Sequence, residues 1–473
     1  MIELLKLCGF GPDEMEAEHS RAEKVLKRLG ITNEDIGQTK ERLTKYYDTQ
    51  LQGVRKMFRL YIKELLDLVL AREEGKTKII YGFMAPVIGE IGSALMTQSK
   101  ELYVSSPSNI FINGLGSLFG KLVPILEAAE QKWLKAGAVA HCGNVKTIAG
   151  LFWLDLIPKP DLLVTSGYMC ETAPKTVELL HEFFDIPPYY ADSCQDITSM
   201  EDPHARQVID LALKNLRKLS ERMQTVAGVE LTDERLLEIQ SARKALGSAK
   251  TRIYKLIESS DPLPLRTTHR ALIARLATSS FDMKDLPEQV DALNTLYDEL
   301  QERVNQGFAA VEKGSPRVFA VLPAHDSDPR LEQLLDEVGI ATVSVEGQGY
   351  LFAPDGGYTP SSPERPKDPY EVICQFMKSS MYETGKTRTS ILTAACKRLK
   401  VEGVLDRYHA GCRSVAGDAL IIRDAITKEL GIPVLLLDWE NFDPRVYNHE
   451  QYKKRFEVFK ATLLDRRKRL TSA

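Results

Sequence analysis

The sequence lacks most of the signals that assign a protein to a class at sight. Its 473 residues carry 62 Lys and Arg against 66 Asp and Glu, a formal net charge of -4. Without a basic excess or a polybasic tract, neither nucleic acid nor an anionic membrane surface is an expected partner. No apolar run approaches the roughly 18 to 20 residues of a membrane helix. The opening MIELLKLCGFGPDEMEAEHS has no basic n-region, apolar h-region or small-residue cleavage site, so the expectation is a cytoplasmic chain. Seven cysteines, an odd number without a tight repeat, argue for thiols or metal ligation rather than disulfides.

Nucleotide and hydrolase motifs are missing as well. Gly-Lys-Thr occurs at Gly75 and Gly385, but the glycine a phosphate loop needs five residues earlier is Leu70 in one case and Ser380 in the other. In NGLGSLFG, Gly114, Gly116 and Gly120 are off by one from the dinucleotide fingerprint, with no clear strand before them. Any ATP requirement therefore falls to another protein. The eight histidines form no H-x-x-x-H or H-E-x-x-H pattern, and Ser166 and Ser414 lie outside any G-x-S-x-G elbow. Hydrolytic chemistry is unsupported.

What is present is alternation. Leu43, Tyr47, Leu51, Val54, Phe58, Tyr61 and Leu65 recur at helical spacing, which predicts long N-terminal helices that cap or dimerise. KTKIIYGFMAP and PDLLVTSG read as buried strands, as do SPRVFAVLPA, GIATVSVE, VEGVLD and IPVLLLD further on. Amphipathic helices alternate with them, the signature of parallel sheets covered on both faces. The expected organisation is an N-terminal helical extension (1–75), a first α/β domain (76–200), a helical segment (201–310) and a second, doubly wound α/β domain (311–473).

Three cysteines share one setting. Cys412 follows the strand VEGVLD, with Ser414 as a candidate N-cap of the helix that ends at Gly431. Cys170 follows DLLVTSG, with Thr172 and Pro174 opening the next helix, and Cys142 lies between a helix closed by Gly137 and one beginning near Asn144. The N–H groups and positive dipole end at a helix start favour a thiolate and an anionic group carried on it. Strand exits in open α/β sheets gather residues distant in sequence. Three thiolates meeting there would hold an iron–sulfur cluster by three irons and leave a fourth for substrate, water or sulfide. Alternatively, each cysteine is a small buried hydrophobe, or the three join His141 or His409 around zinc. Cys374 and Cys396 are core candidates, Cys8 sits near the terminus, and Cys194 lies in YYADSCQD.

The segments AHCGNVKTIAG, PKPDLLVTSGYMC and VEGVLDRYHAGCRSVAGDALIIRDAITKELGIPVLLLDWENFDPRVYNHEQYKKRFEVFKATL resemble the 2-hydroxyacyl-CoA dehydratase and benzoyl-CoA reductase family. The resemblance is strongest from Val401 to Leu463 and leaves out the first 75 or so residues. It implies two flavodoxin-like domains and a 4Fe-4S cluster on the matching positions Cys142, Cys170 and Cys412. It also implies a second homologous core subunit, a separate ATP-dependent iron–sulfur activator and an acyl-CoA substrate. In the dehydratases an electron converts the thioester carbonyl to a ketyl radical anion that expels the 2-hydroxyl group and later returns the electron; in the reductase branch two electrons and two protons reduce an aromatic ring. Where many members read Cys-Asp-Gly-Lys-Lys-Lys, this chain has CETAPKT and keeps only Lys175, which leans towards the reductase-like branch. No cysteine precedes Pro86 in its loop, against a double cubane held by this chain alone. His141 and His409, each close to a ligand position, are either proton carriers or hydrogen-bond partners of the cluster surroundings. Glu90 is a third acid–base candidate, and Arg413 a partner for substrate or cluster charge. The alternative from another class is a non-catalytic partner or assembly subunit that keeps the fold.

Overall fold

The computed structural model describes residues 1–132, 141–167, 170–192, 205–322, 327–346, 368–378, 385–409 and 411–472. Two four-stranded sheets organise it. The first contains β1 (Lys78–Phe83), β2 (Leu102–Ser105), β3 (Leu162–Thr165) and β4 (Pro188–Tyr190) in the order β2-β1-β3-β4. The second contains β5 (Arg317–Val321), β6 (Ala341–Val345), β7 (Gly403–Asp406) and β8 (Val434–Leu436) in the order β6-β5-β7-β8. Every pairing is parallel, and the two orders are equivalent. Strands such as Ile79–Phe83 and Val318–Val321 are buried on both faces, so alternation of polar and apolar residues is absent from them and helices cover each side.

The α/β expectation with two parallel-sheet units and added helices is what the chain adopts. The strands LYVS and PYY have no counterpart in the sequence reading. Each is too short to show a period, and PYY opens with a proline at the sheet edge, where the missing N–H is tolerated. NGLGSLFG, suspected and set aside as a phosphate loop, is a buried π-helical stretch (Ile112–Phe119) closed by Gly120 in the left-handed region. Among the described residues, no helix is long and apolar enough to cross a membrane.

The N-terminal apolar stripe is consumed inside the chain. Leu43, Tyr47, Leu51, Val54, Phe58, Tyr61 and Leu65 are all buried in one core that also includes Ile79 and Tyr81 of β1 and Phe319 and Val321 of β5. Helix Gln52–Leu70 lies against helix Leu286–Asn305. Glu299 of that neighbour caps it, accepting from Gln52 N at 2.7 Å and Gly53 N at 2.9 Å, donors that the Leu51 side chain cannot satisfy. Cys8 belongs to this core and is fully buried, which corrects its placement at a loose terminus; burial pushes its thiol well above the usual range. Cys374 and Cys396 are core residues as expected, and Cys194 lies outside the described residues.

The two helices touch most tightly at Gly53. A Cβ there would stand 2.5 Å from Leu296 Cβ and N, and the backbone atom cannot swing aside. Gly53→Ala is expected to destabilise by about 1–3 kcal/mol or more through overpacking, read as a lower urea midpoint at unchanged m-value. Gly247, with open space around it in helix Asp233–Ser259, provides the control: Gly247→Ala should stabilise by about 0.5–1 kcal/mol through helix propensity.

Candidate functional site

Each sheet directs its strand exits to one edge, and two of the three cysteines occupy such exits, while Cys142 lies between two helices. Cys170 follows β3 and Cys412 follows β7, which hold equivalent places in the two sheets. Cys142 and Cys412 are the N-cap residues of helices Gly143–Trp153 and Arg413–Leu430; their carbonyls accept from Lys146 N at 3.1 Å and Ala416 N at 2.9 Å. Ser414 therefore falls at the second position of the helix it was expected to cap. Cys170 stands one residue before Glu171, the N-cap of helix Thr172–Phe184, and its Sγ lies 3.1 Å from Thr172 Oγ1.

The three thiols face one another electrostatically. All three are half-buried. Burial pushes the Cys142 thiol well above its ordinary range, and the charges of Glu440, Cys170 and Cys412 add to the rise. The loops themselves abut: a Cβ on Gly411 would be 3.6 Å from Cys142 N, and one on Gly143 would be 2.5 Å from Phe442 O. Gly143 is thus required by the passage of the Phe442 backbone.

Among the described residues, no group of three His, Cys, Asp or Glu side chains is drawn together tightly enough to hold a single metal ion. A cluster imposes a different spacing, because each thiolate binds its own corner iron and the sulfurs stand apart by the width of the cluster. Three soft sulfur donors within electrostatic reach, each at a helix start, are the donor set such a group takes.

His409, buried, accepts from Gly411 N through Nδ1 at 3.0 Å, which leaves the proton on Nε2. Nε2 stands 2.7 Å from Glu440 Oε2, an ion-pair distance with imperfect hydrogen-bond alignment. His141 has a buried Nδ1 without a hydrogen-bond partner among the described residues; burial, and then Lys146, lower its pKa and favour the neutral ring. Glu90 is engaged elsewhere, accepting from Gln240 Nε2 at 2.7 Å at a contact with helix Asp233–Ser259. The Arg413 side chain lies outside the described residues.

Several residues here carry no spacing signal. Lys146, buried behind Cys142, pairs with Glu130 at 2.8 Å, and Arg445 joins Glu130 and Asp443 at 2.6 Å each. Arg445 foremost, with Lys146, holds the Glu130 carboxyl down to about 2. This network fastens the start of helix Gly143–Trp153 to the segment after β8. Met84 and Leu322, each one residue beyond a central strand, have φ of 53° and 74°, so both sheets carry backbone strain at the same exit.

Asp406, the last residue of β7, is buried, and among the described residues neither carboxylate oxygen has a hydrogen-bond partner. Nearby, Arg388 binds Glu346 through two hydrogen bonds of 2.7 and 2.9 Å and reaches Asp418 at 3.3 Å. Burial first, partly offset by Arg388 and reinforced by Glu346, raises Asp406 to about 7. An unfolded aspartate titrates near 3.9, so the fold favours the protonated form. Below about pH 4 both states hold the proton; as pH rises towards 7 only the unfolded chain releases it, and native stability falls. Asp406→Asn cannot ionise, so its stability relative to the wild type should climb by up to a few kcal/mol between about pH 4 and 7 and then level off. A pH series of urea unfolding tests this; a constant difference would contradict it.

Comparisons with known proteins show the family. The profile of the family described as 2-hydroxyglutaryl-CoA dehydratase, D-component (HGD-D), matches residues 111–463. The alpha subunit of (R)-2-hydroxyglutaryl-CoA dehydratase from Acidaminococcus fermentans is 22% identical over 307 residues, covering 64% of this chain and 60% of that relative. The chain thus spans about three fifths of its length. A benzoyl-CoA reductase subunit from Thauera aromatica and the (R)-phenyllactyl-CoA dehydratase alpha subunit from Clostridium sporogenes are each 22% identical, over 64% of this chain and 70% of their own length. With a match that includes all three cysteine loops, the chain belongs to the family of the 2-hydroxyglutaryl-CoA dehydratase D-component.

Proposed function

We propose that this protein is a core subunit of an activator-dependent enzyme acting on acyl-CoA thioesters, with a 4Fe-4S cluster on Cys142, Cys170 and Cys412. The observation that carries the reading is the placement of all three thiols at helix starts, two of them at equivalent strand exits of the two sheets, with Cys170 and Cys412 acting electrostatically on Cys142. Each relative above is named for a CoA thioester substrate. All three are named as one subunit of a larger enzyme, which supports a second, homologous core subunit. The lack of a phosphate loop in the sequence fits an ATP-dependent iron–sulfur activator as the electron source. When bound, the cluster supplies single electrons for dehydration or ring reduction by way of a ketyl-type radical.

The chain's own residues bind, orient and handle protons. Cys142 and Cys412 present sulfur at helix N-termini, where unpaired N–H groups and the dipole offset thiolate charge. His409 accepts from Gly411 N through Nδ1 and turns Nε2 towards Glu440. His141, whose pKa burial and then Lys146 lower, is a weaker base than a free imidazole and stands beside the Cys142 ligand position. Glu90, bound to Gln240, is the weakest of the three acid–base candidates.

Protein purified without oxygen is expected to carry about four irons per chain and a reducible paramagnetic signal. Cys170→Ser should lose most of both. Full iron and an unchanged spectrum in that variant would remove Cys170 from the ligand set. Folded protein that stays iron-free after reconstitution would favour a non-catalytic partner or assembly subunit. With activator, ATP and reductant, dehydration yields an enoyl-CoA without net electron consumption, whereas ring reduction consumes electrons in proportion to product.

A further inference from the structure

One carboxylate ties together the parts of the site that come from different sheets. Glu440 lies in the segment after β8. Its Oε1 accepts from Gly143 N at 3.2 Å, the first helical N–H after Cys142, and from Phe442 N at 3.1 Å. Its Oε2 lies 2.7 Å from His409 Nε2. His409 in turn is bound to the loop of Cys412 twice: Gly411 N donates to its ring at 3.0 Å, and Cys412 N donates to its carbonyl at 2.9 Å. A continuous chain of contacts therefore runs from Cys142 through Gly143, Glu440 and His409 to Cys412.

Two further observations show that this junction is built. The local bond from Phe442 N helps to orient the carboxylate. The Gly143 and Phe442 backbones approach so closely that no side chain fits at 143. The Lys146–Glu130–Arg445–Asp443 network stands beside it, so the cations near Cys142 are already neutralised by other acids. The charge of Glu440 is thereby left to His409 and the Cys142 end of the site.

We infer that Glu440 is the positioning residue that locks the Cys142 loop to the His409–Cys412 loop and contributes fixed negative charge beside the cluster they hold. This deepens the proposed iron–sulfur reading and rests on it. Loops fixed before a cofactor arrives keep its ligand geometry, and partners behind the ligands are where a protein tunes a metal group. A carboxylate close to a cluster disfavours its reduction, lowering the potential and strengthening the electron it passes on. Glutamine at 440 keeps an oxygen for Gly143 and Phe442 but removes the charge and turns a donor towards His409; alanine removes all three contacts.

Hydrogen exchange on the full-length, metal-free chain tests the clamp alone. Glu440→Ala should speed exchange in the segments around 141–146 and 407–412 together, by about tenfold or more for a hydrogen bond to a charged group, whereas Glu440→Gln should spare the first segment. Unchanged exchange in both segments for Glu440→Ala would overturn the clamp. On iron-loaded protein, Glu440→Gln should retain its iron and shift the cluster midpoint potential to less negative values. An unshifted potential at full iron content would overturn the electrostatic role. If wild type holds no cluster, the proposed function fails, while the exchange experiment still decides whether Glu440 joins the loops.

Discussion

Parallel pairing is the constraint from which the rest of the molecule follows. Strands that all run one way need helical crossovers, and those helices bury both sheet faces and send every strand exit to the same edge. Two sheets with equivalent orders then offer equivalent exits, and β3 and β7 each lead to a cysteine at the next helix start. No compact motif is needed for residues 170 and 412 to take equivalent positions, and the start of helix Gly143–Trp153 abuts the loop of Cys412.

Electrostatics refine what topology assembles. Near Cys142, Lys146 and Arg445 are matched by Glu130 and Asp443, a network that runs from the buried Lys146 and Asp443 out to the exposed Arg445. Above the second sheet, by contrast, Arg388 is shared by Glu346 and Asp418 while the fold favours a protonated Asp406. Desolvation in such a place favours the neutral acid, and carboxyls poised near neutrality concentrate at functional sites. The left-handed Met84 and Leu322 mark the same edge by backbone strain.

The fold class and the helix starts after the three cysteines were legible in the sequence because long apolar strands and amphipathic crossovers leave a clear period, while Gly137, read as the end of the helix before Cys142, lies outside the described residues. β2 and β4, of four and three residues, are too brief to do so. The N-terminal stripe was readable as helix, but its destination was not. Periodicity identifies a buried face without saying whether another chain or the same chain covers it, and here Leu296 and its neighbours do. Glu440 was invisible for a related reason, since its partners lie at 143 and 409 and no local pattern joins them. His409 shares a loop with Cys412, as its place in the sequence suggests, whereas no local pattern shows that the Glu90 side chain turns towards Gln240.

Whether residues 142, 170 and 412 hold one iron–sulfur group is decided by crystals grown without oxygen and measured at the iron absorption edge. The expected result is a single strong anomalous peak bounded by the sulfurs of Cys142, Cys170 and Cys412. Iron located elsewhere on the chain, with these three thiols free, would contradict it.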